Sequence, residues 1–259
     1  VCFDHDSRPP IPPIAGAAVD GHHVELVSED GTPFLAYEAR ASQPSGAAML
    51  ILPDVRGLHR YYEELTLRFA EAGIDGLAID YFGRTTTSTD RGPEFDYREH
   101  ITQTRYPTLL HDMSAGVHQL RFGADGERPR AVFSVGFCRG GRLAFLTATR
   151  LDLGLAGAIG FYGWPVGQSG DLPAPADVAS EMRCPVLGLF GGADEGIKPE
   201  MVEAFDMALD AAGVDHEVVS FSNAPHSFFD RKAEQFAAES ADAWQHVLDF
   251  VQRYTPPPA

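Results

Sequence analysis

The stretch SVGFCRGG, residues 134–141, closes an apolar run and opens a helix-like one, and its reading decides the fold. Upstream, RAVFSVG (130–136) is almost continuously apolar, as a strand buried on both faces must be. Downstream, the chain reads as a helix from about 139 to 151. Between the two, Gly136 and Gly140 flank Cys138. Small residues at those places let a strand turn sharply into a helix, with one side chain held at the apex. Alone, a cysteine in a glycine turn also fits a small buried residue. Its neighbours along the chain decide between the two.

The same alternation repeats on both sides. HHVELVS (22–28) and PFLAYEAR (33–40) read as strands joined by EDGT. AAMLILP (47–53), GLAIDY (76–81), LAGAIGFYG (155–163), PVLGLFGG (185–192) and HEVVSF (216–221) read as further strands. Helices are expected over 60–73, 106–122, 199–212 and 233–253. Residues 1–21, with Pro9, Pro10, Pro12 and Pro13, read as an irregular arm before a single domain over 22–259. Residues 83–103 and the Pro/Gly-rich stretch through 177 read as long loops. Strands alternating with helices imply a mostly parallel sheet covered on both faces, an α/β architecture.

The 259 residues include 37 acids and 20 bases, a formal net charge of -17. Such a chain repels nucleic acid and anionic membrane, and neither is expected as a partner. No apolar run approaches the roughly 20 residues of a membrane helix. The three cysteines, Cys2, Cys138 and Cys184, are odd in number and widely spaced, so no disulfide framework is expected. A reducing cytoplasm suits that usage. No paired Cys/His spacing and no phosphate-binding glycine motif occurs, so no metal is expected and a nucleotide-binding fold is unsupported.

In parallel sheets, reactive residues gather on the loops after the strands. Cys138 follows AVFSVG, Asp194 follows PVLGLFGG, and His226 follows HEVVSF. Nucleophile, acid and base in that order is the α/β-hydrolase arrangement, with a thiol in place of a hydroxyl. The helix after Cys138 presents free N–H groups and a positive dipole end, which favour a thiolate. His226 would move the proton, and Asp194 would fix its tautomer and stabilise its cation. The backbone N–H groups of Arg139 and Val55 are the expected oxyanion donors. Cys2 and Cys184 sit in no such context.

With GFCRGG, GGADEGI and PHSFFDR, and with LPDVRGL and IDYFGRT, the sequence resembles the dienelactone hydrolase family over about 47–231. The resemblance implies the α/β-hydrolase fold, no cofactor, and hydrolysis of small cyclic enol esters through Cys138, His226 and Asp194. It implies that Asp54, where the family carries Glu, tunes the thiol. It implies that Arg84 receives the substrate carboxylate. A second family arginine would stand four residues after the histidine; that position is Asp230, with Arg231 one later. One residue along a helix rotates a side chain by about 100°. This departure keeps open a general carboxylesterase acting on neutral aryl or short acyl esters. From other classes, a ligand-binding protein on a hydrolase scaffold and a redox-sensing thiol remain open. The expected partner is a small ester or lactone, and the expected assembly a monomer or small homo-oligomer.

Overall fold

The computed structural model of the protein describes residues 6–14, 20–92, 94–123 and 129–258. Of the arm read over 1–21, residues 1–5 (with Cys2) and 15–19 lie outside the described residues, and residues 6–14 form no helix or strand. Eight strands form one sheet: β1 (Asp20–Val27), β2 (Pro33–Arg40), β3 (Ala47–Leu52), β4 (Ile74–Ile79), β5 (Ala131–Phe137), β6 (Gly157–Phe161), β7 (Val186–Gly191) and β8 (His216–Phe221). Their order is β1-β2-β4-β3-β5-β6-β7-β8. Only β2 runs antiparallel to its two neighbours; the other pairings are parallel.

Strands β3 through β7 are buried at every position, which is why they appear in the sequence as unbroken apolar runs. Successive side chains point to opposite faces, and two cores result. On one, Met49, Ile51 and Phe133 pack with Tyr61, Leu65 and Phe69 of α1 (Arg60–Glu71) and with Val247 and Phe250 of α6 (Ala237–Tyr254). On the other, Ala48, Leu50 and Val132 pack with Leu109, Met113 and Val117 of α3 (Tyr106–Phe122) and with Leu143 and Leu146 of α4 (Arg139–Thr147). Burying each such side chain is worth about 1.5–3 kcal/mol. α5 (Pro199–Ala212) starts on a proline and ends at Gly213, whose φ of 67° suits glycine.

Two expected elements differ. Residues 83–103 are not all loop, for α2 spans Tyr97–Gln103. Its start is fixed by the Asp96 carboxylate, which accepts from the Arg98 N–H, and none of its residues is buried. A helix without a buried face leaves no apolar stripe to read. The last helix begins at Ala237 rather than near 233. Phe228, Phe229 and Ala233 are buried from a series of turns instead.

The order around β3 places the site. The chain leaves β3 for β4 on one side and enters β5 on the other. The loops after β3 and β5 therefore part at their carboxyl ends and open a crevice. Leu52 of β3 pairs with Gly136 of β5, so Asp54 and Val55 on one loop face Cys138 on the other. No helix among the described residues is long and apolar enough to cross a membrane.

Candidate active site

Cys138 stands between β5 and α4 with φ 55° and ψ -111°, a conformation that costs a non-glycine residue about 1–3 kcal/mol. Backbones converge there. A Cβ on Gly136 would lie 1.9 Å from the Gly140 carbonyl oxygen, and one on Gly140 would lie 2.0 Å from that of Leu52. The flanking glycines are thus required by contact as well as by the turn. The Cys138 N–H donates to Phe161 O at 3.0 Å, and its carbonyl accepts from the Arg142 N–H at 3.1 Å. Its thiol is free and half-buried, on the wall of a cavity of about 430 Å³. Val55, Arg139, Arg142, Tyr162 and Trp164 share that wall. As the first residue of α4, Arg139 has an N–H with no partner inside the helix.

The carboxylate of Asp194 and the imidazole of His226 meet on the loops after β7 and β8, with Oδ2 to Nδ1 at 2.6 Å. Oδ1 of Asp194 accepts from the N–H groups of Gly196 (2.8 Å) and Ile197 (3.1 Å). Burial favours the neutral acid, but the His226 bond and those N–H groups outweigh it and hold Asp194 below the usual carboxylate range. An ionised Asp194 accepts only, so the His226 proton sits on Nδ1 and leaves Nε2 basic. Tyr162 links this pair to the cavity: it lines the wall beside Cys138, and its ring centroid lies 4.8 Å from that of His226.

The two acidic positions singled out by the resemblance are both buried. Asp230 accepts from the Tyr162 hydroxyl at 2.6 Å and from the Arg231 N–H. It fastens the tyrosine that packs on His226. Burial pushes its carboxyl up to about 7, against the lowering effect of the Tyr162 bond. Asp54 Oδ1 accepts from the Arg56 N–H at 2.9 Å, while Oδ2 is buried without a partner. Among the described residues no hydrogen bond joins Asp54 to the Cys138 thiol, contrary to the tuning contact the resemblance implies. Burial first, then the charge of Asp230, raises the Asp54 carboxyl from 3.8 to about 8. A raised acid keeps its proton in the folded state while the unfolded chain loses it. Its contribution is therefore complete below about pH 4 and lost as pH rises towards about 8. Asp54→Asn is expected to raise the thermal midpoint at pH 8, with the gain shrinking towards pH 4. A midpoint lowered equally at both pH values would contradict this.

Arg84 and Arg231 are placed elsewhere. Arg84 donates to Asp112 at 2.7 Å and to Asp30 at 2.5 Å, with Thr32 completing the cluster, and it does not line the Cys138 cavity. Asp112 is fully buried on α3 and needs that cation. Arg84→Ala would leave Asp112 uncompensated and is expected to cost about 3–5 kcal/mol in denaturant unfolding. It should leave the preference between anionic and neutral esters unchanged; a lost preference would return Arg84 to the substrate. Arg231 is exposed beside Arg8 and Pro9 on another surface depression. The backbone turns inward at Asp230 instead, one position earlier.

Sequence reading missed the Arg139 side chain, Arg142 and Tyr162. Arg142, four residues after Cys138 on α4, donates to the carbonyls of Gly167 (2.6 Å), Leu172 (3.0 Å) and Pro173 (2.7 Å). It thereby shapes the 164–173 loop that roofs the cavity. Burial, then the charge of Arg139, pushes its guanidinium down to about 10. The spacing from Cys138 was a legible signal, since residues four apart share a helix face. The three-residue donor group Asp206, Asp210 and His216 lies at the amino end of β8, opposite the Cys138 end of the sheet.

A strained thiol at a strand-to-helix turn, with an acid–imidazole pair on later loops of the same parallel sheet, defines an α/β-hydrolase. The chain belongs to the dienelactone hydrolase family, whose model matches residues 34–255. A Rhodococcus opacus carboxymethylenebutenolidase is 28% identical over 98% of this chain and 97% of its own length. A Yersinia pestis protein, named as a candidate carboxymethylenebutenolidase, is 30% identical over 88% of this chain and 86% of its own. The crystal structure of a candidate dienelactone hydrolase from Klebsiella pneumoniae superposes with a TM-score of 0.78 at 28% identity, over 92% of this chain and 100% of that one.

Proposed function

We propose that the protein hydrolyses small esters or lactones through a thioester formed on Cys138. The observation that carries this reading is the 2.6 Å Asp194–His226 pair, set on the same end of the sheet as the strained Cys138 turn. His226 Nε2 takes the thiol proton, and the thiolate attacks the ester carbonyl. The N–H groups of Arg139 and Val55 hold the oxyanion that forms. Collapse breaks the carbonyl–oxygen bond, and His226 returns the proton to the departing alkoxide or enolate. Water, deprotonated by His226, then attacks the thioester, releasing the acid and restoring the thiol. Asp194 stabilises the imidazolium at each transfer.

A thiolate leaves a tetrahedral intermediate easily, so the substrate must carry a leaving group at least as good. Enol lactones and aryl esters meet that condition, and amides do not. Keeping the thiol reduced calls for a reducing compartment such as the cytoplasm. Acid quenching during turnover of p-nitrophenyl acetate, followed by peptide mass spectrometry, tests the reading. An acetyl group on the Cys138 peptide is expected. Turnover with Cys138 unmodified under conditions that give a p-nitrophenol burst would overturn it.

A further inference from the structure

We infer that Asp230 is a positioning residue for the hydrolysis: through the Tyr162 hydroxyl its carboxylate holds the aromatic ring that keeps the His226 imidazole set towards the Cys138 thiol. The inference rests on the reading of Cys138 as the nucleophile and His226 as the base. It gives the acid at 230, where the resemblance implies an arginine, a task that does not touch the substrate.

Among the described residues three non-glycine residues have positive φ: Cys138 (55°), Tyr162 (38°) and Ser227 (65°). Strain of this kind persists where the surroundings over-determine it, and it collects at functional sites. Cys138 is the nucleophile, Ser227 follows the base directly, and Tyr162 joins the two in space. Phe161 O accepts from the Cys138 N–H at 3.0 Å, and the Tyr162 N–H donates to Leu189 O at 2.7 Å. A Cβ on Gly141 would lie 2.5 Å from Phe161 O, and one on Gly163 would lie 2.4 Å from the Gly141 carbonyl carbon. The backbone on either side of Tyr162 is thus pressed against the first turn of α4, while its ring packs on His226.

The Asp194 bond fixes the Nδ1 edge of the imidazole, and a bond along one edge leaves the tilt of the ring open. The Tyr162 ring, with its centroid 4.8 Å away and its plane inclined at 54°, closes that freedom. Asp230 holds the far end of the Tyr162 ring, accepting from its hydroxyl at 2.6 Å. Asp230 also stands on the turn that leaves His226, for its N–H donates to Ser227 O at 3.3 Å. The contacts therefore close a loop: from His226 along the chain to Asp230, across to the Tyr162 hydroxyl, and back through the ring to the imidazole. Both Asp230 and Tyr162 are buried. Among the described residues no cationic side chain forms an ion pair with Asp230, whose carboxylate meets the Tyr162 hydroxyl and the Arg231 N–H. Burying a carboxyl without a cation is costly, and two apolar side chains would fill the same space more cheaply. What the hydroxyl–carboxylate bond adds is a fixed distance and direction for the ring.

The test uses wild type, Asp230→Ala, Asp230→Asn, Tyr162→Phe and the Asp230→Ala/Tyr162→Phe double variant. It measures kcat/KM for p-nitrophenyl acetate, and the rate at which iodoacetamide alkylates Cys138 at about pH 6.5 and at about pH 10. At the higher pH a thiol ionises without help. The ratio of the lower-pH rate to the higher-pH rate therefore reports the thiolate that His226 makes, and it cancels changes in access. Both kcat/KM and that ratio are expected to fall roughly tenfold or more in Asp230→Ala and in Tyr162→Phe. Asp230→Asn should recover most of the loss, since its amide can still bond a hydroxyl that accepts as well as donates. The double variant should fall less than about twofold below either single one, because both cut the same path. Side chains that only fill the core would move the thermal midpoint and leave the ratio alone. An unchanged ratio in folded Asp230→Ala and Tyr162→Phe, or losses that multiply in the double variant, would overturn the inference and leave the thiol mechanism standing. Tyr162→Phe removes a single oxygen and carries the test if Asp230→Ala does not fold. If Cys138→Ala hydrolyses the ester as fast as wild type, the thioester reading fails, and the alkylation ratio alone decides whether Asp230 sets His226 towards the thiol.

Discussion

Cys138→Ala is expected to lower kcat/KM for p-nitrophenyl acetate by roughly a thousandfold or more, and Cys138→Gly by as much, yet the glycine variant should melt higher than the alanine one. The loss follows from removing the atom that forms the thioester; only oxyanion binding and positioning would remain. The difference in stability follows from the backbone. At φ 55° and ψ -111°, alanine keeps the Cβ and so the same steric cost as cysteine. Glycine removes that cost of about 1–3 kcal/mol, while its freer unfolded chain returns roughly 0.5–1 kcal/mol. A net gain of about 1 kcal/mol should raise the midpoint by roughly 2–4 °C in a chain of this size. Such a result would show that the turn holds strain solely to present the thiol. Wild-type turnover in Cys138→Ala would remove the thiol from the chemistry, and a glycine variant less stable than alanine would remove the strain argument.

The strands were legible because burial on both faces leaves an unbroken apolar run, as in AAMLIL of β3 and VLGLFG of β7. The placing of Cys138, Asp194 and His226 was legible because a parallel sheet sends the carboxyl ends of β5, β7 and β8 to the same edge. The charged residues were not legible in the same way. Arg84 stands where a substrate arginine was expected, yet Asp112, from a helix elsewhere in the chain, claims it. Nothing local to IDYFGRT announces that ion pair. Asp230 and Arg231 differ by one position, and the turn after His226 decides which of them faces inward. Ser227, next after His226, has φ 65°, and the chain leaves His226 through a series of turns.

Asp194→Asn is expected to lower kcat/KM by about a thousandfold to ten-thousandfold, although the substitution changes a single atom type. The two oxygens of Asp194 have separate tasks. Oδ1 accepts two backbone N–H groups, those of Gly196 and Ile197, and Oδ2 meets His226 Nδ1. In the asparagine variant the amide oxygen must stay on the backbone donors, since an amide nitrogen there would face two N–H groups. The NH2 group is then turned towards His226 Nδ1. It donates, so Nδ1 must be the unprotonated nitrogen and the ring proton moves to Nε2. An imidazole with that tautomer cannot take the Cys138 proton, and no negative charge remains to stabilise the imidazolium. Iodoacetamide should also alkylate Cys138 more slowly at pH 6 to 7 in this variant, because fewer thiolates form. The packing is otherwise retained, so the thermal midpoint should change far less than the rate. Near-normal turnover in Asp194→Asn would mean that Cys138 reaches its thiolate through the amino end of α4 alone, with His226 needed only to protonate the leaving group.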